Sequence, residues 1–413
     1  MHPAKLITYF NLFFVLLPSV WIFDFFPQTN FYNVALDSKE KTLFLFYIFY
    51  ITFQLIWLMF GSIKIRAPIF IIRPNIRFLA MGLIFISLAT KLYLYSTGYH
   101  LIEDKYESAE KIPAVLQYIN NSYLIGFSLF VVYYYKIKSV PESSAPIAFF
   151  RVMMAICIAI AIFEGRRFGV IYPILLAVAA QAYFGILNYR KLFKVGIIMI
   201  SLFLTVTALR LAQAVQFASG LDATDISMVS IAQSSIDLEY TEFLNSIVSR
   251  LGNHIIVTNA IVDQIDSGDI EPSYNALSLA AYSIIPRMIW REKPSLSIGN
   301  TIGKELGLIH QKNERTKINP SWVGDAYYSM GYIGVVLAAV IFSILLRVPR
   351  MLFRQNTHLG GVVYAQSMLL IISGFQMELA FSLNNYIKYF IMVAFILFLL
   401  KLLSIKPYNF KAT

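Results

Sequence analysis

Runs of about twenty apolar residues recur along this chain, at approximately 6–26, 43–63, 78–96, 113–135, 147–163, 170–187, 195–210, 326–346, 361–381 and 387–405. A helix needs about 20 apolar residues to cross the hydrocarbon core of a bilayer. In lipid, only helices and closed barrels satisfy every backbone polar group. Barrel strands are shorter and alternate polar with apolar residues, which these runs do not. The expectation is an all-α, polytopic transmembrane helical bundle of about ten spans. One long loop of mixed character, residues 211–325, divides it.

Composition agrees with a lipid environment. Of 413 residues, 58% are hydrophobic and 14% are charged, against about 25% charged in ordinary globular chains. Cys157 is the only cysteine, which excludes an internal disulfide and any multi-cysteine metal site. Met1 to Lys5 is short and the apolar stretch after it is long, so the start reads as a retained span, not a cleavable leader.

Orientation follows from where the charges lie. Lys64, Arg66, Arg73 and Arg77, then Lys136, Lys138 and Arg151, then Arg190, Lys191 and Lys194, then Arg347, Arg350 and Arg354, then Lys401, Lys406 and Lys411 occupy every second connection, with Lys5 at the start. Glu142 is the only carboxylate among them. Cytoplasmic loops attract Lys and Arg, so both termini are expected in the cytoplasm and residues 211–325 outside it. The net charge of +11 is largely this signal. Nucleic-acid binding would need a basic face with exposed aromatics, which is not what the pattern offers. Three parts result: an N-terminal bundle over 1–210 with about seven spans, the loop over 211–325, and three C-terminal spans over 326–413.

Within the loop, Ser227 to Ile265 has the apolar spacing of one or two amphipathic helices. Asn275 to Trp290 is apolar but too short and broken to span, and reads as re-entrant or interfacial. Residues 291–325 are rich in glycine and proline and read as ordered loop with short helices. There is no internal repeat of the kind on which common transporters are built.

The chemically informative residues are arginines on the outer side. Arg166 and Arg167 lie in a very short outer connection, Arg210 closes the span before the loop, and Arg250, Arg287 and Arg291 lie within it. A guanidinium at the bilayer surface either snorkels to headgroups, pairs with a carboxylate such as Glu164 or Glu239, or binds phosphate through its planar fork. Six together suit a lipid diphosphate. His254 follows Arg250 by four residues, so a helix places both on one face. It reads either as a base near neutral pH or as a polar residue on a solvated helix face. Asp325 and Glu239 are alternative bases. Asp263, Asp266 and Asp269 lack the calcium-loop pattern and read as a solvated acidic face. No P-loop, Rossmann fingerprint, His-Glu-x-x-His or nucleophile elbow occurs, and no metal site is expected.

Several segments carry a resemblance. Ile285-Pro286-Arg287-Met288-Ile289-Trp290-Arg291-Glu292-Lys293-Pro294 followed by Ser297-Ile298-Gly299-Asn300, and Asn319-Pro320-Ser321-Trp322-Val323-Gly324-Asp325 continuing to Tyr328 and Gly331-Tyr332-Ile333-Gly334, resemble Wzy-type O-antigen polymerases. Gly165-Arg166-Arg167-Phe168-Gly169 looks like a variant of the Gly-x-Arg-Gly-like turn of that family, with the arginine doubled. Arg210 corresponds to an arginine that closes the span before the large periplasmic loop.

The resemblance implies a GT-C-like glycosyltransferase of the bacterial inner membrane that needs neither cofactor nor metal. Its donor would be a growing glycan on undecaprenyl diphosphate, and its acceptor a single lipid-linked repeat unit. Arg210, Arg250 and Arg287 would stabilise the departing diphosphate with help from Arg166 or Arg167, and Arg291 and Asp325 would line the substrate site. His254 would take the acceptor's proton or help to position it. The family commonly works with a chain-length regulator. The alternatives are an O-antigen ligase and a lipid-linked oligosaccharide flippase or other transporter, which usually has shorter loops and more charge inside the bundle than the isolated Lys91 seen here.

Overall fold

A computed structural model describes residues 17–20, 37–60, 76–97, 114–138, 147–163, 167–186, 240–271, 275–282, 298–313, 317–352 and 358–403, with isolated positions at 23, between 188 and 208, and between 285 and 294. Among the described residues the fold is all-helical. The helices, in chain order, are α1 (Leu17–Val20), α2 (Lys39–Phe60), α3 (Ile76–Ser96), α4 (Ala114–Lys138), α5 (Ile147–Phe163), α6 (Arg167–Tyr183), α7 (Tyr240–Asp266), α8 (Asn275–Tyr282), α9 (Gly299–Glu305), α10 (Ser321–Leu352), α11 (His358–Gly374) and α12 (Leu379–Leu403). By length and composition, Lys39–Phe60 and Ser321–Arg347 are long and apolar enough to cross a membrane. The apolar cores of α3 to α6 and of α11 are shorter.

The chain forms two compact units. Unit 1 comprises residues 1–64, 200–348 and 368–387; unit 2 comprises 65–199, 349–367 and 388–413.

In unit 1, α2 and the second part of α10 run parallel. Phe44 meets Tyr332 at 6.5 Å, Phe49 meets Phe342 at 5.5 Å, and the Arg347 guanidinium lies 4.8 Å from the Trp57 ring. α7 runs the other way along α2. The His254 ring stands edge-on to Phe46 at 6.1 Å, Thr42 donates to Asn259 Oδ1 at 3.3 Å, and Ser38 donates to Asp263 Oδ1 at 3.2 Å. The outward side of α2 is apolar: Phe44, Tyr47, Leu55, Leu58 and Met59 are all exposed, Leu58 to 75%. A soluble core helix buries such a stripe.

The apolar run 326–346 reads as one continuous span, but the structure breaks it. Met330 (φ −144°, ψ 19°) and Gly331 (φ 58°, ψ −142°) leave helical geometry, and the second pair of angles is open to glycine alone. The helix folds back there. In a straight helix Trp322 and Phe342 would be about 30 Å apart; their rings are 5.3 Å apart. A Cβ on Gly334 would collide with the Ala326 carbonyl, so the return of the arm Ser321–Met330 against the rest of α10 also needs glycine at 334. The stretch from 331 to 352 is roughly 33 Å long at 1.5 Å per residue, still enough to span.

Unit 2 is built on α3, α4, α5 and α6. Ser87 and Ser122 of this unit donate to the carbonyls of Asn120 and Leu83, tying α3 to α4. Lys91, a charge inside an apolar run, is buried with its ammonium 4.8 Å from the Tyr123 ring. Gln366 of α11 donates to Ser128 Oγ and to the Leu124 carbonyl of α4. Phe78, Phe85 and Leu92 form an exposed apolar stripe on α3.

Candidate functional site

Irregular backbone inside unit 1 marks the candidate site. The turn between α11 and α12 brings Phe375 against Phe46, Phe49 and Phe342, at 6.4, 5.3 and 5.7 Å. Phe46 and Phe49 lie between a third and a half of the way along α2. The Trp322 amide donates to the Phe375 carbonyl at 3.1 Å, so the start of the arm meets the turn at that same level.

Polar groups collect there, all buried. Asp325 Oδ2 accepts the Leu379 amide at 2.8 Å, which places a carboxylate at the N-terminus of α12, where free amides and the helix dipole favour it. Glu378 Oε1 accepts the Gly299 amide at 2.5 Å. The Ile318 amide in turn donates to the Gly299 carbonyl at 3.3 Å, fixing the segment that enters the arm. Ser321 has φ 63°, rare for a residue with a side chain, and its hydroxyl accepts the Gly324 amide at 3.2 Å as an N-cap. Thr258 of α7 joins this cap: its hydroxyl is 2.6 Å from the His254 carbonyl, 2.7 Å from the Pro320 carbonyl and 3.2 Å from Ser321 Oγ.

His254 and Asp325 are therefore brought into one neighbourhood, linked through Thr258 and Ser321 at adjacent turns. His254 is 2% exposed, which overturns the solvated-face reading of that residue. Ile255 to Val262 on the same helix are all buried as well, so this part of α7 is core of unit 1. Arg250 lies one turn before His254 in α7, and Arg167 is the first residue of α6. Arg166, Arg210, Arg287 and Arg291 lie outside the described residues.

Of the three aspartates at 263, 266 and 269, the last two are exposed, as a solvated acidic face requires, and Asp263 is half-buried. Asp263 takes the Ser38 hydroxyl and Asp266 pairs with Lys41, pinning the end of α7 to the start of α2. The Lys41 ammonium also lies 5.3 and 5.7 Å from the Tyr327 and Tyr332 rings on either side of the α10 break. Among the described residues, no group of three or more His, Cys, Asp or Glu is arranged to hold a metal ion.

Thr258, Ser321, Trp322 and Glu378 belong to the junction without having been singled out from their residue types. Glu378 had a usable signal: it is the one carboxylate within the apolar run 361–381. Ser321 and Trp322 lie in the segment resembling the polymerases. Thr258 had none, because a threonine in an amphipathic helix is ordinary. The chain matches no protein-family model, no curated protein and no solved structure.

Proposed function

We propose that the chain is a bacterial inner-membrane polymerase that joins oligosaccharide repeat units carried on undecaprenyl diphosphate, with about ten spans, both termini cytoplasmic and a GT-C-like bundle. The observation that carries this reading is the meeting of α7 with the 320–324 segment in the interior of unit 1, with Gly299 held beside that segment through Ile318 and Glu378. Parts of two neighbouring stretches that resemble one enzyme family, 285–300 and 319–334, are thereby brought to the helix that bears Arg250 and His254. Membrane insertion is supported by the exposed apolar stripes on α2 and α3. The parallel run of α2 and α10 supports the topology, since a second and an eighth span must point the same way.

In this mechanism an acceptor hydroxyl attacks the anomeric carbon of the donor glycan, and the bond to the lipid diphosphate breaks. Arg210, Arg250 and Arg287 stabilise the charge that develops on the departing diphosphate, with Arg166, Arg167 and Arg291 contributing at the outer surface. The acceptor's proton passes to His254. Because His254 is buried, the hydroxyl must enter the junction, not dock on a helix surface. The bilayer holds the polyprenyl tails, and a chain-length regulator is the expected protein partner.

A second reading has its own support. Asp325 and Glu378 are buried carboxylates beside broken helices in the interior of the bundle, an arrangement typical of transporters, so a lipid-linked oligosaccharide flippase is the rival. A ligase is the rival among enzymes. Deletion and complementation separate them. Loss of a polymerase leaves core lipid bearing one repeat, restored by wild type but not by Arg287→Ala. Loss of a ligase leaves bare core with polymer still on the lipid carrier. Loss of a flippase leaves bare core and single repeats on the cytoplasmic side. An unchanged ladder would remove all three for that polysaccharide.

A further inference from the structure

We propose that Trp322 and Asp325 form a binding site for a single hydroxyl group, one that accepts from the Trp322 indole N–H and donates to Asp325 Oδ1. Both residues are fully buried, Trp322 at 1% and Asp325 at 0% exposure. Trp322 Nε1 and Asp325 Oδ1 have no hydrogen-bond partner among the described residues. Buried polar atoms in folded proteins nearly always have one. Here the two orphans are of opposite kind, a donor and an acceptor. They are three residues apart in the helical arm, the spacing at which side chains share a face with Cβ atoms roughly 5–6 Å apart. A direct bond between them is not made, and one oxygen carrying a hydrogen satisfies both.

Neither a cation nor a second carboxylate does the same. A cation would answer Asp325 but repel the indole N–H; a carboxylate would answer the indole but face the charge of Asp325 and, near it, of Glu378. The other Asp325 oxygen is already engaged by the Leu379 amide, which aims the carboxyl and leaves Oδ1 for the ligand. The hydroxyl has two possible sources, a held water or a sugar of the glycan. The sugar source rests on the polymerase reading; the water source does not.

The test uses the full chain in phosphatidylethanolamine and phosphatidylglycerol nanodiscs, free of sugar-headed detergent, with ¹⁵N-labelled tryptophan. The chain has four tryptophans, so four indole resonances are expected, and Trp322→Phe identifies one by its loss. An Overhauser contact from that indole proton to water, abolished in Asp325→Asn, assigns the site to a held water. A displacement of the resonance on adding the lipid-linked single repeat unit, absent in Asp325→Asn, assigns it to a sugar hydroxyl. Asp325→Asn keeps an oxygen for the Leu379 amide, and if it does not fold, Asp325→Glu takes its place. An indole proton with no water contact and no response to the repeat unit overturns the site, as does a response that the Asp325 variants leave intact. A normal ladder after gene deletion would defeat the polymerase reading while leaving the water contact to be read on its own.

Discussion

Arg347 is 9% exposed, and its guanidinium donates to the carbonyls of Ile56 and Trp57 while facing the Trp57 ring. The last carbonyls of a helix have no partner within it, and a basic side chain near the C-terminus supplies one. Arg347 is thus the cap of α2, delivered from α10. One terminal nitrogen makes both bonds while the planar guanidinium lies against the Trp57 ring, a face-on contact that a strongly hydrated ammonium reproduces poorly. Arg347→Lys keeps the charge and is expected to lower stability by about 1–2 kcal/mol, read as a fall in thermal midpoint in nanodiscs; an unchanged midpoint would rule out the capping role. The residue type alone gave Arg347 a side of the membrane. Its partners lie 290 and 291 positions away, and nothing local announces them. His254 shows the same limit: its type marked it as a candidate base, but burial depended on how α7 packs on α2. Replacing His254 with Gln keeps its polarity and approximate size, and should leave expression intact while reducing the rate of polymer formation about a hundredfold, the low end of what losing a general base costs. Normal polymer length would exclude it as the base.

Helices were the legible part of the chain because hydropathy reads side chains. What it does not read is a backbone turn inside an apolar run. The break at Met330–Gly331 falls where the surrounding residues are all compatible with a continuous span, so the second half of the arm Ser321–Met330 was hidden within the run 326–346. The junction was legible in half. Asn319 to Asp325 was marked by its resemblance to a family, whereas the Glu378 and Thr258 contributions come from segments that meet it only after folding. The arm itself depends on glycine at its hinge. Gly331→Ala places a Cβ at φ 58°, ψ −142°, and is expected to destabilise the protein by about 1–3 kcal/mol. Gly334→Ala tests the return path separately, since its Cβ would meet the Ala326 carbonyl. Each variant should loosen the Lys41 contact with Tyr327 and Tyr332, visible as faster amide exchange at the end of α7. Protection equal to wild type in both would mean that the arm does not need this hinge.

At the scale of the whole molecule, the direction of α2 links sequence to membrane. Its N-terminal end gathers Ser38, Lys41 and the Asp263–Asp266 contacts, and its C-terminal end is capped by Arg347, which belongs to a basic cluster expected in the cytoplasm. α10 runs parallel to it, so both carry the same orientation. If α2 is the second of ten spans, its start faces out and residue 64 faces in. The single cysteine makes this measurable, because Cys157 is buried and Cys157→Ser provides a cysteine-free background. In that background Asp37→Cys and His310→Cys should react with a membrane-impermeant maleimide in intact spheroplasts. Lys64→Cys should react only after permeabilisation. The reverse pattern would invert the bundle and place the junction's polar groups on the wrong side for a lipid-linked donor presented outside. Equal reactivity of residues 37 and 64 would mean that α2 does not cross, and with it the ten-span count would fall. Only the expected pattern leaves Arg250, His254 and Asp325 where an outer-face glycan transfer needs them.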